Sequence, residues 1–498
     1  MRKLAVLTVA IAPLLGAEAV PNFAEHIAPI LFENCASCHR QGEAGPFPLT
    51  SYAEAAKRGK LIAAITRARI MPPWHAEKTH YEFANERRLS EEQIVTIERW
   101  VKAGMPEGDR SKQPPLPAFT EGWELGKPDL ELKMDRAFRV PAEGPDIYRY
   151  FALPVNLDED RWVRAIEFRP GRRSVVHHAL IFIDDQPRPV RAKESEGQPG
   201  FDQFPSRGGM RNRVATWAVG TNPRLLPDGL AVKLPKGSQI VVQTHFHPSG
   251  KEEDEISSVG LHFADAPPAR SIAEIHLPPF FGISAAIDIP AGDPAYSLTE
   301  SFVTPVDVEA FAVFAHAHYI GKEFRLTAEL PDGDSRDLLW IKRWDFAWQT
   351  LYHFKEPLVL PKGTKITSRI VWDNSDSNPK NPFRPARRIQ WGENSEDEMG
   401  SLVLDVAPIR EEDMLELRNA LARHSMLSQA RALLAREGVL ADGIAGLKPP
   451  EQKLAQFILS QYDADGDGKL GPAELEAARA FLREAGFDVG RRRSSLGD

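Results

Sequence analysis

The pattern of hydrophobic and polar positions changes twice along the chain. From about residue 20 to 110, apolar residues recur at helical spacing, as in residues 22–34 (NFAEHIAPILFEN), and Ser90-Glu-Glu-Gln93 has the form of a capping box. From there to about Pro408, short β-branched and aromatic runs alternate with Gly, Pro and Asp turns. Helical spacing returns after Arg410. The pattern predicts a multidomain, mainly β protein, with antiparallel sheets flanked by two helical regions.

Proline-rich stretches mark the predicted domain boundaries. Residues 111–117 (SKQPPLP) read as a linker, and residues 264–270 (ADAPPAR) as a seam within the β-rich region. That region is long enough for two β-sandwiches of ordinary size. The predicted division is a signal peptide over 1–19, a helical domain over 20–112, a first sandwich over 118–264, a second sandwich over 271–409, and a helical region over 410–498.

The first residues have the form of a signal peptide. Arg2 and Lys3 precede an apolar run over residues 4–15, and Ala17-Glu18-Ala19 has the small residues of a cleavage site. The apolar run is too short to span a bilayer comfortably. We therefore expect an exported protein, periplasmic or secreted, without stable membrane insertion. The net charge of −8 is spread along the chain, which argues against a nucleic-acid partner.

The chain has two cysteines, Cys35 and Cys38, and both belong to Cys35-Ala-Ser-Cys38-His39. Cys-x-x-Cys-His is the attachment signature of haem c, with the histidine as an iron ligand, so residues 20–112 are predicted to be a cytochrome c-like domain. Met71 is the predicted second axial ligand, because the two prolines after it would hold its loop stiffly extended. Met105 is the alternative.

Three histidine pairs lie in or beside runs that read as strands. They are His177-His178, His245-Phe-His247 and His316-Ala-His318, and a late methionine, Met399, accompanies them. A strand turns alternate residues to one face, so an H-x-H pair can direct two imidazoles at one ion. Adjacent histidines cannot do this from a regular strand, which predicts a bulge or the use of different ring nitrogens.

These side chains predict a copper protein. Imidazole combined with a thioether suits copper better than zinc, calcium or magnesium. The seam places the first two histidine pairs in one sandwich and the third pair with Met399 in the other. The sequence therefore predicts two separate metal centres that face each other across a cleft between domains.

A twelve-residue calcium loop of the EF-hand type is predicted near the C-terminus. Its carboxylates at positions 1, 3, 5 and 12 are Asp463, Asp465, Asp467 and Glu474, and Lys469 at position 7 offers a backbone carbonyl. Such loops usually occur in pairs, and this pattern is found once. We expect a weak calcium site with a structural role.

At the histidine pairs and Met399 the chain resembles the copper type II, ascorbate-dependent monooxygenases, which include peptidylglycine α-hydroxylating monooxygenase and dopamine β-monooxygenase. The resemblance spans roughly residues 120–408. His177, His178 and His245 match the ligands of the family's electron-transfer copper. His316, His318 and Met399 match the ligands of its oxygen-binding copper.

The resemblance implies two jelly-roll-like sandwiches with one copper ion each. It implies a monooxygenase that hydroxylates a C–H bond of a small organic substrate with O2, using ascorbate or a redox protein as external electron donor. The fused haem is then expected to relay electrons to the coppers. Phe314, Ser401 and Val403 stand where the peptidylglycine enzyme holds its peptide, so a peptide substrate is not expected.

His247 has no counterpart in the family. It remains open whether it binds copper, supports a ligand or faces solvent. The alternative function is a non-catalytic exported protein that transfers electrons or handles copper. A zinc hydrolase is a third possibility, but no general base accompanies the histidines.

Overall fold

The computed structural model describes residues 20–487, except 44, 85, 121, 186–196, 203–212, 220–222, 393, 437, 448 and 486. The predicted signal peptide lies outside the described residues. The chain divides into a small unit, residues up to 74 with 87–119, and a large unit, residues 75–86 with 120 onward. Within the described residues, no helix combines the length and apolar character needed to cross a membrane.

The small unit is helical, as its sequence pattern predicts. Its elements are a helical turn over Phe23–Ile27, α1 over Ala28–Asn34, α2 over Tyr52–Arg67 and α3 over Glu91–Lys102. The capping box is present, because the Ser90 hydroxyl accepts from Gln93 N and the Gln93 side chain accepts from Ser90 N. Phe23, Leu31 and Trp100 are among the fully buried side chains of its core.

The large unit is mainly β, which confirms the coarse fold prediction. The strands before residue 264 are β1 Leu130–Lys133, β2 Phe138–Val140, β3 Ile147–Pro154, β4 Arg161–Arg169, β5 Val176–Asp184, β6 Arg213–Ala218, β7 Val232–Leu234, β8 Gln239–Phe246, β9 Glu253–Glu255 and β10 Ser258–Phe263. Two antiparallel sheets, β1-β10-β4-β7 and β3-β8-β5-β6, enclose one apolar core. These strands form the first sandwich.

The second sandwich follows the predicted seam. Its strands are β11 Ala273–Leu277, β12 Asp288–Ile289, β13 Tyr296–Val303, β14 Val308–Ala317, β15 Gly321–Glu329, β16 Ser335–Ile341, β17 Leu351–Leu360, β18 Lys365–Trp372, β19 Ile389–Gln390 and β20 Gly400–Pro408. They form two four-stranded antiparallel sheets, β11-β20-β14-β17 and β13-β18-β15-β16, and a short β12–β19 pair.

The sheets β3-β8-β5-β6 and β11-β20-β14-β17 face each other at the interface between the two sandwiches. A shared apolar cluster joins Tyr150, Leu180, Phe182 and Val241 of the first sandwich to Phe281, Phe314, Met399 and Val403 of the second. Every residue of β8 and of β20 is buried as a result. Because both faces of these strands are buried, their sequences lack the strict alternation of apolar and polar residues that would show which face meets the other sandwich.

Residues 75–86 lie on the second sandwich, whereas the sequence division placed them in the helical domain. Ala76 pairs with Ile341 at the end of β16, and Phe83 pairs with Phe354 of β17. The rings of Phe83 and Phe354 also stack, with centroids 5.4 Å apart. Free backbone groups at a sheet edge accept an extended segment in this way, and the sequence of the segment does not reveal it.

Three helices follow β20, namely α4 Met414–Leu434, α5 Pro449–Tyr462 and α6 Pro472–Glu484. This confirms the helical pattern after Arg410. The α4 helix packs on the second sandwich, where Arg431 and His424 approach the buried carboxylate of Glu300 at 2.5 and 3.0 Å. A separate apolar cluster holds the three helices together.

Candidate metal centres

His177, His178 and His245 meet at one end of the first sandwich. They lie on the paired strands β5 and β8, where Val176 is opposite Phe246 and His178 is opposite His245. His177 is the extra residue of a bulge between these two pairs. The bulge turns both His177 and His178 toward His245. This confirms the prediction of a bulge at the adjacent histidines.

The three imidazoles present the same ring nitrogen to one another. Nδ1 of His245 lies 3.1 Å from Nδ1 of His177 and 3.3 Å from Nδ1 of His178. Nitrogens bound about 2.0–2.1 Å from a tetrahedral ion are separated by about 3.3 Å, so this spacing fits one transition-metal ion. Burial, then the charge of His245, lowers the pKa of His177 to about 4. The rings are therefore neutral at pH 7, and their lone pairs are available to a metal.

The ring of His245 is held on two sides. It stacks on Tyr148, with ring centroids 4.4 Å apart and planes 10° from parallel. Its Nε2 lies 2.9 Å from Oδ2 of Asp146. The pKa of Asp146 is below its usual range: burial acts to raise it, but the contacts with His245, His247 and Tyr319 outweigh burial. Nε2 of His245, the ring nitrogen that does not meet His177 and His178, thus lies beside an anionic carboxylate.

His316 and His318 lie at the end of β14 in the second sandwich, and both are buried. Nδ1 of His316 lies 2.5 Å from Oε1 of Gln349, and Nδ1 of His318 lies 3.1 Å from the carbonyl oxygen of Asp397. A carbonyl oxygen only accepts, so Nδ1 of His318 carries the proton and Nε2 is its free nitrogen. The ring centroids are 5.4 Å apart. Burial lowers the pKa of His316 to about 4 and that of His318 to about 3.

Glu398 connects His318 to Met399. Its Oε2 accepts from His318 N at 2.9 Å and from Met399 N at 3.2 Å, and its Oε1 accepts from Ile320 N at 2.8 Å. Trp372 Nε1 also donates to Oε2, at 3.1 Å. Burial raises the pKa of Glu398 to about 8, although these four N–H donors act against that shift. One carboxylate therefore fixes the backbone beside two of the three predicted ligands.

Met399 is buried among apolar side chains at the interface between the two sandwiches. The ring of Phe281 stands edge-on to His316, with centroids 5.2 Å apart, and the ring of Phe314 lies 6.3 Å from His316. His316, His318 and Met399 thus share an apolar setting that keeps water out.

Phe346 lies between the two groups of histidines. Its ring centroid is 5.4 Å from that of His245, 6.3 Å from that of His178 and 5.8 Å from that of His318. Phe346 and Gln349 both belong to the loop of residues 342–350 between β16 and β17. One loop therefore supports the second centre and separates it from the first.

The residues of the predicted haem site lie in the small unit. Nδ1 of His39 lies 2.9 Å from the carbonyl oxygen of Phe47, which leaves Nε2 for an iron ion. A Cβ at Gly45 would come within 2.7 Å of Nδ1 of His39, so only glycine allows this approach. Cys35 and Cys38 are free thiols one turn apart. These features fit covalent haem at Cys35, Cys38 and His39.

Both candidates for the second axial ligand, Met71 and Met105, lie in the small unit. Met105 packs in the small unit's core, where its Sδ would lie 2.4 Å from a Cβ at Gly59. Met71 is half-buried in the segment after α2. Met71 stays the prediction.

The loop predicted to bind calcium lies between α5 and α6. Carboxylate oxygens of Asp463, Asp465 and Asp467 lie within 4.8 Å of one another. The Glu474 side chain turns back to accept from Ala464 N and Gly471 N, both at 2.7 Å. Lys469 N donates to Oδ1 of Asp467 at 2.8 Å. These are the residues that the sequence motif identifies.

The calcium loop has a neighbour that the motif does not reveal. Leu470 N donates to the carbonyl oxygen of Leu440 at 3.0 Å, in the glycine-rich segment 438–447 between α4 and α5. A Cβ at Gly443 would come within 3.2 Å of the carbonyl oxygen of Gly468. Segment 438–447 lacks the carboxylate spacing of a calcium loop, yet it forms a hydrogen bond with the loop predicted to be one.

Sequence reasoning missed several residues that position these centres. Asp146, Tyr148, Phe346, Gln349 and Glu398 all contact the predicted ligands, and none belongs to a local metal-binding motif. Glu398 alone had a signal, because it stands next to Met399. The others come from loops and strands distant in sequence. His247, whose role was open, is largely exposed, and its Nδ1 lies 2.7 Å from Oδ1 of Asp146.

Comparisons with known proteins assign no family. No protein-family model matches the chain, and no curated protein matches it. Similar solved structures include the infectious bursal disease virus VP2 subviral particle, with 10% identity over 58% of this chain and 73% of that chain, at a TM-score of 0.18. PNGF-II has 10% identity over 56% and 65%, at a TM-score of 0.25. The major capsid protein P2 of bacteriophage PM2 has 6% identity over 56% and 96%, at a TM-score of 0.20. Scores this low carry no argument about fold or function.

Proposed function

We propose that this protein is a copper-dependent monooxygenase that hydroxylates a C–H bond of a small organic substrate with O2. The convergence of three Nδ1 atoms at 3.1 and 3.3 Å, beside a second buried histidine pair, carries the proposal. His177, His178 and His245 would hold one copper ion, and His316, His318 and Met399 the other. The resemblance to the copper type II, ascorbate-dependent monooxygenases is part of this proposal.

The residues of the second centre are suited to a protected reaction. Copper bound there would supply one-electron redox chemistry and activation of O2, and a thioether ligand stabilises Cu(I). Gln349 and the Asp397 carbonyl hold protons on the Nδ1 atoms, which orients both rings. Phe281, Phe314 and Val403 surround Met399 and exclude water. An apolar setting favours a neutral substrate over a peptide carboxylate.

The reaction requires an electron source. Inserting one oxygen atom into a C–H bond and reducing the other to water consumes two electrons and two protons. We propose that haem at Cys35, Cys38 and His39 relays these electrons from ascorbate or a redox protein. The chain crosses between the two units three times, after residues 74, 86 and 119, so the haem unit stays tethered. Tethering raises the effective concentration of an electron donor.

The first prediction tests the second copper ligand set. Met399→Leu removes the thioether and keeps the apolar volume, so we expect substrate-dependent O2 uptake to fall more than about 100-fold, beyond the usual effect of a residue that only supports a ligand. The assay uses full-length protein with haem and two copper equivalents, ascorbate, and a panel of neutral C–H substrates under labelled O2. Product mass should show one added oxygen atom.

Met414→Leu is the matched control, because Met414 is also buried but lies in α4. It should keep both O2 uptake and the haem spectrum. In the same assay, reduced haem should reoxidise faster in copper-loaded than in copper-free protein. A fully loaded protein that consumes no O2 with any substrate would instead support a carrier of electrons or copper.

We further propose that Asp463, Asp465, Asp467, Lys469 and Glu474 bind calcium. The second prediction is that Asp463→Ala weakens calcium binding at least about 10-fold, because the first ligand of the loop is lost. Isothermal titration of the full chain measures this. Asp442→Ala, an exposed carboxylate in the neighbouring segment, should leave binding unchanged. Equal affinities for the wild type and Asp463→Ala would contradict the site.

A further inference from the structure

The carboxylate of Asp146 contacts three side chains from two parts of the large unit, the end of β8 and the residues just after β14. Oδ2 lies 2.9 Å from Nε2 of His245 and 3.0 Å from the hydroxyl of Tyr319, which donates to it. Oδ1 lies 2.7 Å from Nδ1 of His247. Asp146 itself directly precedes β3, and its side chain is 14% exposed. A carboxylate accepts up to about four hydrogen bonds, so one group can serve all three partners.

His245 needs a partner of this kind if its Nδ1 binds a metal. A neutral imidazole carries one proton, so a metal on Nδ1 requires the proton on Nε2. Nε2 of His245 is buried and lies 2.9 Å from Oδ2 of Asp146, a close charge contact that is not aligned as a hydrogen bond. A carboxylate at this place favours the required tautomer and raises the electron donation of the ring.

Two contacts together determine how the His245 ring is placed. Stacking on Tyr148 sets the plane of the ring, because the two planes are 10° from parallel. Stacking alone does not distinguish the ring from its flipped form, in which Cδ2 takes the place of Nδ1 and Cε1 takes the place of Nε2. Asp146 makes that distinction, because only one form places an N–H beside the carboxylate.

We infer that Asp146 is a positioning residue for the first copper centre, which orients His245 so that its Nδ1 faces the ion. This inference rests on the first centre of the proposed function. His247 then acts through Asp146 and is not a copper ligand. The His247 side chain is 68% exposed, so water competes with Asp146 for hydrogen bonds to its ring.

Tyr319 extends the same arrangement to the second sandwich. It directly follows His318, and its ring packs against Phe346 with centroids 4.8 Å apart. Asp146 and His245 belong to the first sandwich. The ligands of the first centre are therefore fully oriented only when the two sandwiches are docked. The hydrogen bond between Asp146 and Tyr319 links the orientation of His245 to the second centre.

The experiment measures copper binding in the full-length chain carrying His316→Ala and His318→Ala, so that only the first centre loads. Asp146→Ala should weaken copper binding about 10- to 100-fold in a chelator competition. It should also shift the Cu(II) EPR spectrum, which a general loss of stability does not do. Asp146→Asn should shift the spectrum too, because an amide can present a donor to Nε2.

Tyr319→Phe should give a smaller loss of affinity than Asp146→Ala, and His247→Asn a smaller loss still. Asp254→Asn, an exposed carboxylate on β9, is the matched control and should change neither readout. Unchanged affinity and an unchanged spectrum in Asp146→Ala would overturn the inference. A wild type that binds copper and shows the Asp146 effect, yet hydroxylates no substrate, would keep this inference and reject the monooxygenase.

Discussion

Replacing Arg213 with alanine is expected to cost the large unit about 3–5 kcal/mol of its free energy of unfolding, because two buried carboxylates lose their cation. Nη2 of Arg213 lies 2.6 Å from Oε1 of Glu274 and 3.2 Å from Oδ1 of Asp405. The Arg213 side chain is 3% exposed. Since Arg213 is on β6 and the carboxylates are on β11 and β20, the loss weakens the contact between the sandwiches.

The deficit is expected to grow with pH. Burial raises the pKa of Asp405 to about 7, while Arg213 acts to lower it, and the same cation holds the pKa of Glu274 below its ordinary value. Without the arginine both pKa values rise. A carboxyl whose pKa is higher in the folded than in the unfolded chain loses stability as pH rises between those two values. Urea unfolding should therefore show a larger deficit at pH 8 than at pH 5.

The matched control is Arg388→Ala, which breaks an exposed ion pair with Asp288 on the second sandwich. An exposed pair contributes at most about 1 kcal/mol, so that variant should unfold close to the wild type. Combining Arg213→Met with Glu274→Gln and Asp405→Asn should recover most of the loss, because no buried charge is left unpaired. Unfolding of Arg213→Ala at the wild-type urea concentration would contradict the argument.

Glu398→Ala is expected to destabilise the second sandwich by at least about 4 kcal/mol, because four buried N–H donors lose their acceptor at about 1–3 kcal/mol each. The donors are on His318, Ile320, Trp372 and Met399. The same change frees the backbone beside His318 and Met399. We therefore expect the protein to bind one copper equivalent instead of two, measured by metal analysis beside urea unfolding.

Glu398→Gln separates size from charge at this position. Its amide keeps one oxygen but presents an NH2 group to at least one of the donors, so its stability should lie between those of the wild type and Glu398→Ala. Glu396→Ala is the control, because Glu396 is exposed two residues away. Its change should stay within about 0.5 kcal/mol. Two copper equivalents in a destabilised Glu398→Ala would show that Glu398 stabilises the sandwich without supporting the metal centre.

The sequence could predict candidate ligands because their patterns are local. His316 and His318 follow strand alternation, and the adjacent pair His177-His178 required a bulge that the structure contains. The calcium loop and the capping box at Ser90 are likewise short-range patterns with fixed spacing. Each of these predictions depends on residues within a few positions of one another.

The residues that contact the candidate ligands could not be predicted for the same reason. Asp146 lies 99 positions before His245, and Phe346 lies in a loop that contains no histidine. Residues 75–86 continue a helical region in sequence but lie on the second sandwich. Strands such as β8 and β20 are buried on both faces, so their sequence pattern does not indicate which surface each face packs against.

The amino-acid order by itself determined the mainly β character, the helical ends, and which side chains are suited to bind metals, because these depend on local periodicity and side-chain chemistry. Only the tertiary structure decided that Nδ1 of His245 lies 3.1 and 3.3 Å from the other two Nδ1 atoms, that Asp146 and Glu398 contact predicted ligands, and that Phe346 lies between the two groups of histidines. Those relations depend on strand register and on the docking of two sandwiches, which arise from packing across the whole large unit and have no local signature.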